Sequence, residues 1–404
     1  MSGLPPSVPI AILASAPWET PAPVNVHQIA RRLAARGYKV LFVESTGLRA
    51  PSLRSAHDRS RVMARLRAAL RGPRRVTDGL FALAPLAVPA DWPAPARALS
   101  DLWVAGQVQR ALRRLEMPAP LVWSFLPTWL GVARRLGGRR LVYHCVDRYE
   151  ANPGVDAARI EAAERAMLRA ADRVLATSPV LADHLRPQRS DVVCVPNVAD
   201  VALFSRAVRE PLQEPPALAG LGRPRAVYTG NVAGYRVDLP LLAGVADARP
   251  DLQLVLLGAV GLGDPGGAPQ GFAELIARPN VHAFGARPQD ELPAWLRHAD
   301  VALIPFLDNA HTRGSLPLKL WEYLAAGLPV VATPLPNLIP LAEDGTLRVA
   351  GGVEAFVAAL ESALGEPDER RSERLSRAQA HDWEPRVEEL LRLVADSGGP
   401  DRVR

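Results

Sequence analysis

Short, wholly apolar runs alternate along this chain with longer stretches whose apolar positions recur at helical spacing. Ile10-Ala11-Ile12-Leu13 and Val40-Leu41-Phe42-Val43 read as strands, with a helix over 26–36 between them. That spacing predicts Asn25 as the helix cap, Gln28 reaching back to it, and Gly37 as the terminator. Further strands are expected at 121–125, 141–145, 174–177 and 192–195. A strand without polar alternation is buried on both faces, and one separated from its neighbour by a helix pairs in parallel. The alternation stops between Ser205 and Pro224, where Pro211, Pro215, Pro216 and Pro224 cluster, and this stretch reads as a linker. A second series follows, with strands at 226–229, 252–257, 281–284, 301–304 and 330–333. Helices fall at 239–248, 291–297, 318–326 and 353–364, and a last one at 383–395 follows the charged stretch Asp368–Arg374. The pattern predicts an α/β protein of two doubly wound domains, 1–204 and 225–378. A linker (205–224) joins them, and a C-terminal helix (379–404) is expected to pack back toward the first. Ligands of such sheets bind at the carboxyl ends of the strands.

Length agrees, since 404 residues exceed one ordinary core. At 48% hydrophobic and 22% charged residues the chain is neither disordered nor fibrous. No apolar run is long enough for a membrane span, and Met1 to Pro9 has no signal-peptide pattern. The two cysteines, Cys145 and Cys194, cannot staple a protein of this size, which fits a reducing cytoplasm. The net charge of +6 is carried almost wholly by arginine; Lys39 and Lys319 are the two lysines. Nucleic-acid binding is set aside because no stacking aromatics interleave with the arginines. Nine of those arginines fall between Arg49 and Arg75, with Val62, Met63, Leu66, Ala69 and Leu70 spaced along one face. The stretch from Arg54 to Arg75 reads either as an exposed helical insertion or as a helix lying on an anionic membrane surface.

Asp308 to Thr333 holds the most chemistry. Pro317 opens a helix and Gly327 closes it, and Lys319 and Glu322, three apart, share its first turns. A helix start offers free N–H groups and partial positive charge to a diphosphate; a lysine adds a compact cation, and a glutamate can accept two ribose hydroxyls. By spacing alone the pair reads first as an ordinary surface ion pair. Gly261, Gly263 and Gly266 match a dinucleotide fingerprint, but Pro265, Gly267 and Pro269 deny it the helix it should open, so it reads as a loop.

The segment PLKLWEYLAAGLPVVA, residues 317–332, resembles the donor-site signature of retaining GT-B glycosyltransferases of glycosyltransferase family 4, in the branch of teichuronic-acid and exopolysaccharide assembly. YHCVD at 143–147, TSPVL at 177–181, VPN at 195–197, YTG at 228–230, NVHAFG at 280–285 and ADVALIPF at 299–306 follow in the same order. The resemblance implies the GT-B fold, two Rossmann-like domains facing each other across a cleft. It also implies a nucleotide-diphosphate sugar as donor substrate, with no permanently bound cofactor and no metal, and a glycan or lipid-linked acceptor. The setting it implies is cytoplasmic or peripheral at the inner face of the membrane. Glu322 then matches the ribose-holding acid of the E-x7-E motif, while the first acid of that motif is replaced by Gly314. Its work is expected of His311 or of the backbone around Ser315, Leu316 and Leu318. The basic pair of G-R-x4-K falls on Gly230, Asn231 and Arg236, so the diphosphate is expected on Arg236, Lys319 and a helix N-terminus.

On the first domain, Asp147 and His144 are the implied catalytic contacts, and Glu19, Asn25 and His27 the acceptor-side loop. The implied mechanism is front-side and retaining: the leaving phosphate helps deprotonate the acceptor while the protein stabilises charge on the diphosphate. Two other readings stay open, a nucleotide-sugar epimerase on the same fold and a non-catalytic nucleotide-sugar-binding subunit.

Overall fold

In a computed structural model, residues 3–20, 23–45, 47–48, 72–87, 93–264 and 267–396 are described. The basic stretch from Arg54 as far as residue 71 lies outside them. The chain divides into two units: one of 1–177, 181–195 and residues from Val387 on, the other of 178–180 and 196–386.

The first unit is built on eight strands: β1 (Ile10–Leu13), β2 (Val40–Val43), β3 (Arg74–Thr77), β4 (Leu80–Leu83), β5 (Leu121–Ser124), β6 (Arg140–Cys145), β7 (Arg173–Ala176) and β8 (Val193–Cys194). Their order is β3-β4-β2-β1-β5-β6-β7-β8, all parallel except the β3–β4 hairpin. Every residue of β1, β2, β5 and β7 is buried, as unalternated apolar runs require. Helix α1 (Asn25–Ala35) starts differently from expectation. Asn25 stands inside it, and the cap is made at Val24, whose N–H donates to His27 Nδ1 at 3.2 Å. Gln28 instead accepts from Arg32 at 2.5 Å. Gly37, at φ +85°, ends the helix as read from the sequence.

Several elements were not foreseen, among them a hairpin and two helices. The end of the basic stretch, Arg74 and Arg75, belongs to strand β3 instead of a surface helix, and Asp78-Gly79 turns it into β4. Gly79 is at φ +73°, and a Cβ there would lie 2.9 Å from the Tyr38 carbonyl. Helix α2 (Ala94–Arg114) packs Val104, Val108, Ala111 and Leu112 into the core. Helix α3 (Ala157–Ala170) follows β6, capped by Asp156.

The second unit holds β9 (Arg225–Thr229), β10 (Gln253–Leu257), β11 (Val281–Ala283), β12 (Val301–Ile304), β13 (Val330–Ala332) and β14 (Arg348–Val349). The order is β11-β10-β9-β12-β13-β14, wholly parallel. Strand succession therefore reverses between β9 and β12, which opens a crevice beyond their carboxyl ends. Its helices include α4 (Leu239–Ala248), α5 (Ala310–Arg313), α6 (Leu318–Ala325), α7 (Val353–Leu364) and α8 (Arg370–Gln379); α9 (Trp383–Ala395) begins in this unit, and its residues from Val387 on belong to the first.

Residues 205–224, expected as a linker, pack with this unit. Ala207 and Leu218 are in its core, and the Arg225 guanidinium donates to the Gly222, Leu218 and Leu221 carbonyls. The charged stretch 368–374 leads into α8. That helix lies along α6, and its buried Arg374 donates to the Gly327 carbonyl at 2.7 Å.

Candidate functional site

The reversal between β9 and β12 brings four sequence-separated pieces of the second unit together. Gly230, at φ +123°, leaves β9 with its N–H on the Leu257 carbonyl at 2.7 Å. The chain then returns along the end of β12: Asp238 N–H donates to the Pro305 carbonyl and Leu307 N–H to the Arg236 carbonyl, each at 2.8 Å. This pairing fixes Arg236 beside Phe306. The start of α6 arrives from the other side and delivers Lys319. Its Nζ stands 5.4 Å from the Tyr228 ring centroid and 5.2 Å from that of Phe306. A Cβ placed on Gly230 would lie 3.1 Å from that ammonium, so the glycine keeps the approach open.

Tyr323, on the same helix as Lys319, is fully buried. Its hydroxyl accepts from Thr229 N–H at 2.8 Å and pairs with Thr229 Oγ1 at 3.0 Å. This bond ties α6 to β9 and sets the height of Lys319 over the rings. Leu324 and Tyr323 carbonyls accept from Gly327 and Leu328 N–H, closing the helix as the glycine predicts. Pro317 is the cap residue itself rather than a member of the first turn.

The segment leading into α6 is held by its carbonyls. Ser178 Oγ donates to Gly314 O at 2.7 Å, Asn197 to Leu316 O at 3.0 Å, and Asn337 to Arg313 O and Ser315 O at 3.2 and 3.1 Å. Ser315 N–H is used by the Thr312 carbonyl at 2.9 Å, contrary to its expected role as a donor to ligand. The amides of Leu316, Leu318 and Lys319 remain at the helix start, where the last two have no intrahelical acceptor.

His311 is 3% exposed and sits on α5, which Asn309 caps by accepting from the His311 and Thr312 N–H groups. Its Nε2 is 2.7 Å from Arg236 Nη2. A guanidinium can only donate, so Nε2 accepts and the imidazole proton is on Nδ1. His311 thereby orients Arg236. Asn231 is drawn away from an expected donor contact: its amide donates to Leu262 O at 2.6 Å and accepts from Leu262 N–H at 3.1 Å, pinning the glycine-rich loop. That loop opens no helix at once; the next one begins at Phe272.

Electrostatics mark the Lys319–Glu322 pair. Burial, and secondly the Arg236 guanidinium, hold the Lys319 ammonium below the ordinary lysine range. Burial, and then the opposing pull of Lys319 and the push of Asp200, leave the Glu322 carboxyl above the usual carboxylate range. Among the described residues no ion pair joins Lys319 to an acid. A cation held over two rings with another cation beside it, at a helix start, is suited to receiving a dianion.

In the first unit, His144 is 1% exposed, stacked on Trp123 and tilted against Phe125, a core ring of β6. Asp147 is partly buried just beyond β6, its carbonyl 3.6 Å from Cys145 Sγ. His27 is fully buried, with Nε2 2.8 Å from the Pro17 carbonyl and Nδ1 used by Val24. Both nitrogens serve the fold, not the expected acceptor contact, and burial holds its pKa down to about 4. Asn25 is buried too, whereas Glu19 is exposed and 3.0 Å from Arg74.

Residues 22–203 match the family model Glycosyltransferase Family 4, and residues 223–366 match that of Glycosyl transferases group 1. The chain belongs to the GT-B glycosyltransferases. Among curated relatives it is 26% identical over 245 residues to the putative teichuronic acid biosynthesis glycosyltransferase TuaH of Bacillus subtilis, covering 58% of this chain and 59% of TuaH. The chain thus spans well under two thirds of that relative in the match. Sucrose-phosphate synthase from Thermosynechococcus elongatus shares the fold at 18% identity and TM-score 0.68, covering 95% of this chain and 97% of that one. Anabaena HepE, solved with UDP, does so at 15% identity and TM-score 0.64, covering 96% and 100%.

With the family established, the motif residues gain a shared explanation. Tyr228, Phe306 and Tyr323 form or anchor the floor under Lys319, and Ser178, Asn197 and Asn337 hold the segment before α6. These positions were not foreseen individually, although all but Asn337 lie inside the quoted motifs. Spacing in sequence gave no reason to join them.

Proposed function

We propose that this GT-B glycosyltransferase moves a sugar from a nucleoside-diphosphate donor to a hydroxyl of a glycan or lipid-linked acceptor, in the assembly of a cell-envelope or extracellular polysaccharide. The observation that carries the reading is Lys319 standing over Tyr228 and Phe306 beside Gly230 and Arg236. It lies at the point of the second unit's sheet where strand order reverses. The diphosphate lies against Lys319, Arg236 and the amides opening α6, and Glu322 takes the ribose hydroxyls. As the glycosidic bond breaks, negative charge grows on the leaving phosphate, and these fixed donors stabilise it without reorganising. Cations and helix dipole supply this without a metal. Retention by a front-side path, with the leaving phosphate accepting the acceptor proton, belongs to the same reading, as do Asp147 as the first unit's contribution and a cytoplasmic, membrane-peripheral setting. TuaH, named for teichuronic acid biosynthesis, supports the polysaccharide class.

The test is a thermal-shift screen against UDP, GDP, ADP and TDP sugars, followed by product analysis with and without glycan and lipid acceptors. Donor-dependent glycosylation is the expected result. Epimerised donor without acceptor would replace transfer by isomerisation, and binding without turnover over the whole panel would leave a binding subunit.

A further inference from the structure

Helix α2 presents a face that the described residues of the first unit do not cover. At 100° per residue, Leu99, Leu102, Trp103, Arg110, Arg113 and Arg114 fall within a sector of about 120°. Leu99, Leu102 and Trp103 are 67%, 57% and 56% exposed, high values for large apolar side chains. The opposite face, with Val104, Val108 and Leu112, is buried in the core. The exposed stripe is therefore not a frayed end but one side of a well-anchored helix.

Its two halves differ in character. The apolar residues occupy the first part and three arginines the last turns. Among the described residues, none of the three is in an ion pair, and the Arg110 guanidinium lies 5.8 Å from the Trp103 ring centroid. The helix has one acid, Asp101, which is on the packed side against Gly131. The face thus offers an indole and two leucines next to positive charge that no acid among the described residues pairs.

We propose that this face of α2 docks on an anionic lipid bilayer, with Trp103, Leu99 and Leu102 entering the headgroup boundary and Arg110, Arg113 and Arg114 meeting lipid phosphates. Tryptophan favours that boundary because its ring is apolar and its N–H is polar, and basic residues near an anionic surface add to apolar insertion. A second copy of the chain fits less well. A two-fold contact would set this face on itself, and neither copy's stripe brings an acid to receive the other's arginines. The proposal does not depend on the transfer reading, because it concerns a different element and is read without activity.

The full chain is sedimented with vesicles of phosphatidylcholine alone and with added phosphatidylglycerol, and Trp emission is followed during titration. Binding to the anionic vesicles with a blue shift that is lost in Trp103→Phe is expected. Arg110→Ala/Arg113→Ala/Arg114→Ala lowers partitioning on the order of a hundredfold. Leu99→Ser/Leu102→Ser lowers it at least tenfold, and unchanged thermal midpoints show both variants folded. Equal binding to neutral vesicles, or no effect of either variant set, overturns the proposal. Binding abolished by deleting residues 51–71 but indifferent to α2 assigns the membrane contact to that basic stretch instead. Concentration-dependent dimers that Leu102→Ser dissolves, without vesicle binding, assign the face to a second copy.

Discussion

Replacing Lys319 by methionine should make the empty protein more stable while removing its grip on a diphosphate. The ammonium is partly buried, sees Arg236, and has no acid at ion-pair distance among the described residues, so its pKa in the folded chain lies below the ordinary lysine value. Each unit of such depression means the charged form is disfavoured on folding by about 1.4 kcal/mol at neutral pH. The two aromatic faces return about 0.5–1 kcal/mol, most of which a methionine sulfur keeps. With the folded value pulled down to about 8 the full penalty would be about 3 kcal/mol; solvent screening of a side chain that is only partly buried leaves a net gain of about 1–2 kcal/mol, seen as a rise of roughly 2–4 °C per kcal/mol in the melting of a unit this size.

The sign is testable by pH. The penalty on Lys319 is complete below its folded pKa and fades as pH climbs toward the unfolded value, so the advantage of Lys319→Met is largest near neutrality and shrinks in alkali. Glu322 is the mirror case. Its folded pKa is raised, so Glu322→Gln gains stability at neutral pH and loses that gain as pH falls toward the unfolded carboxylate value. Denaturant melts at pH 5, 7 and 9.5, with and without UDP or GDP, measure both sides. Nucleotide affinity should fall at least tenfold, or about 1.4 kcal/mol. A Lys319→Met protein that is less stable when empty, yet binds nucleotide normally, refutes the reasoning.

Three further outcomes are expected. Tyr323→Phe leaves Thr229 N–H buried without its acceptor and should destabilise the second unit by about 1–3 kcal/mol in urea denaturation. Gly258→Ala would set a Cβ 1.8 Å from the Gly230 carbonyl; the displaced loop should lower nucleotide affinity at least tenfold by calorimetric titration, with about 1–3 kcal/mol of overpacking strain. His27, held down to about 4 and fully buried, contributes stability that is whole above its unfolded value near 6.5 and lost as pH falls through 4. The difference is about 3 kcal/mol, and His27→Gln should flatten that part of the stability–pH profile followed by fluorescence.

Strands were legible because a parallel strand covered on both faces must be apolar at every position, and such runs stand out. The β3–β4 hairpin escaped because Arg74 and Arg75 continue a basic run in composition, although Asp78-Gly79 was a turn signal. Helix α2 escaped because its outer face is itself apolar and blurs the helical alternation. Among site residues, Lys319 and Glu322 could be singled out from a helix start of unusual chemistry. His27 and His144 could not be sorted from sequence, since a histidine spent on a cap or stacked in a core reads the same as one aimed at a ligand.

What the sequence alone determined was local: where the chain is apolar enough to be a buried strand, where glycine permits a left-handed end, and which helix begins with a cation and an acid. These follow from backbone sterics and periodicity, which act over a few residues. The tertiary structure alone decided that Tyr228, Arg236 and Phe306 surround Lys319, that His311 pairs with Arg236, that Asn231 is bound to Leu262, and that Ser178 and Asn197 hold the peptide before α6. Those relations depend on strand order, and strand order is settled by packing of the whole sheet, which no short stretch of the chain encodes.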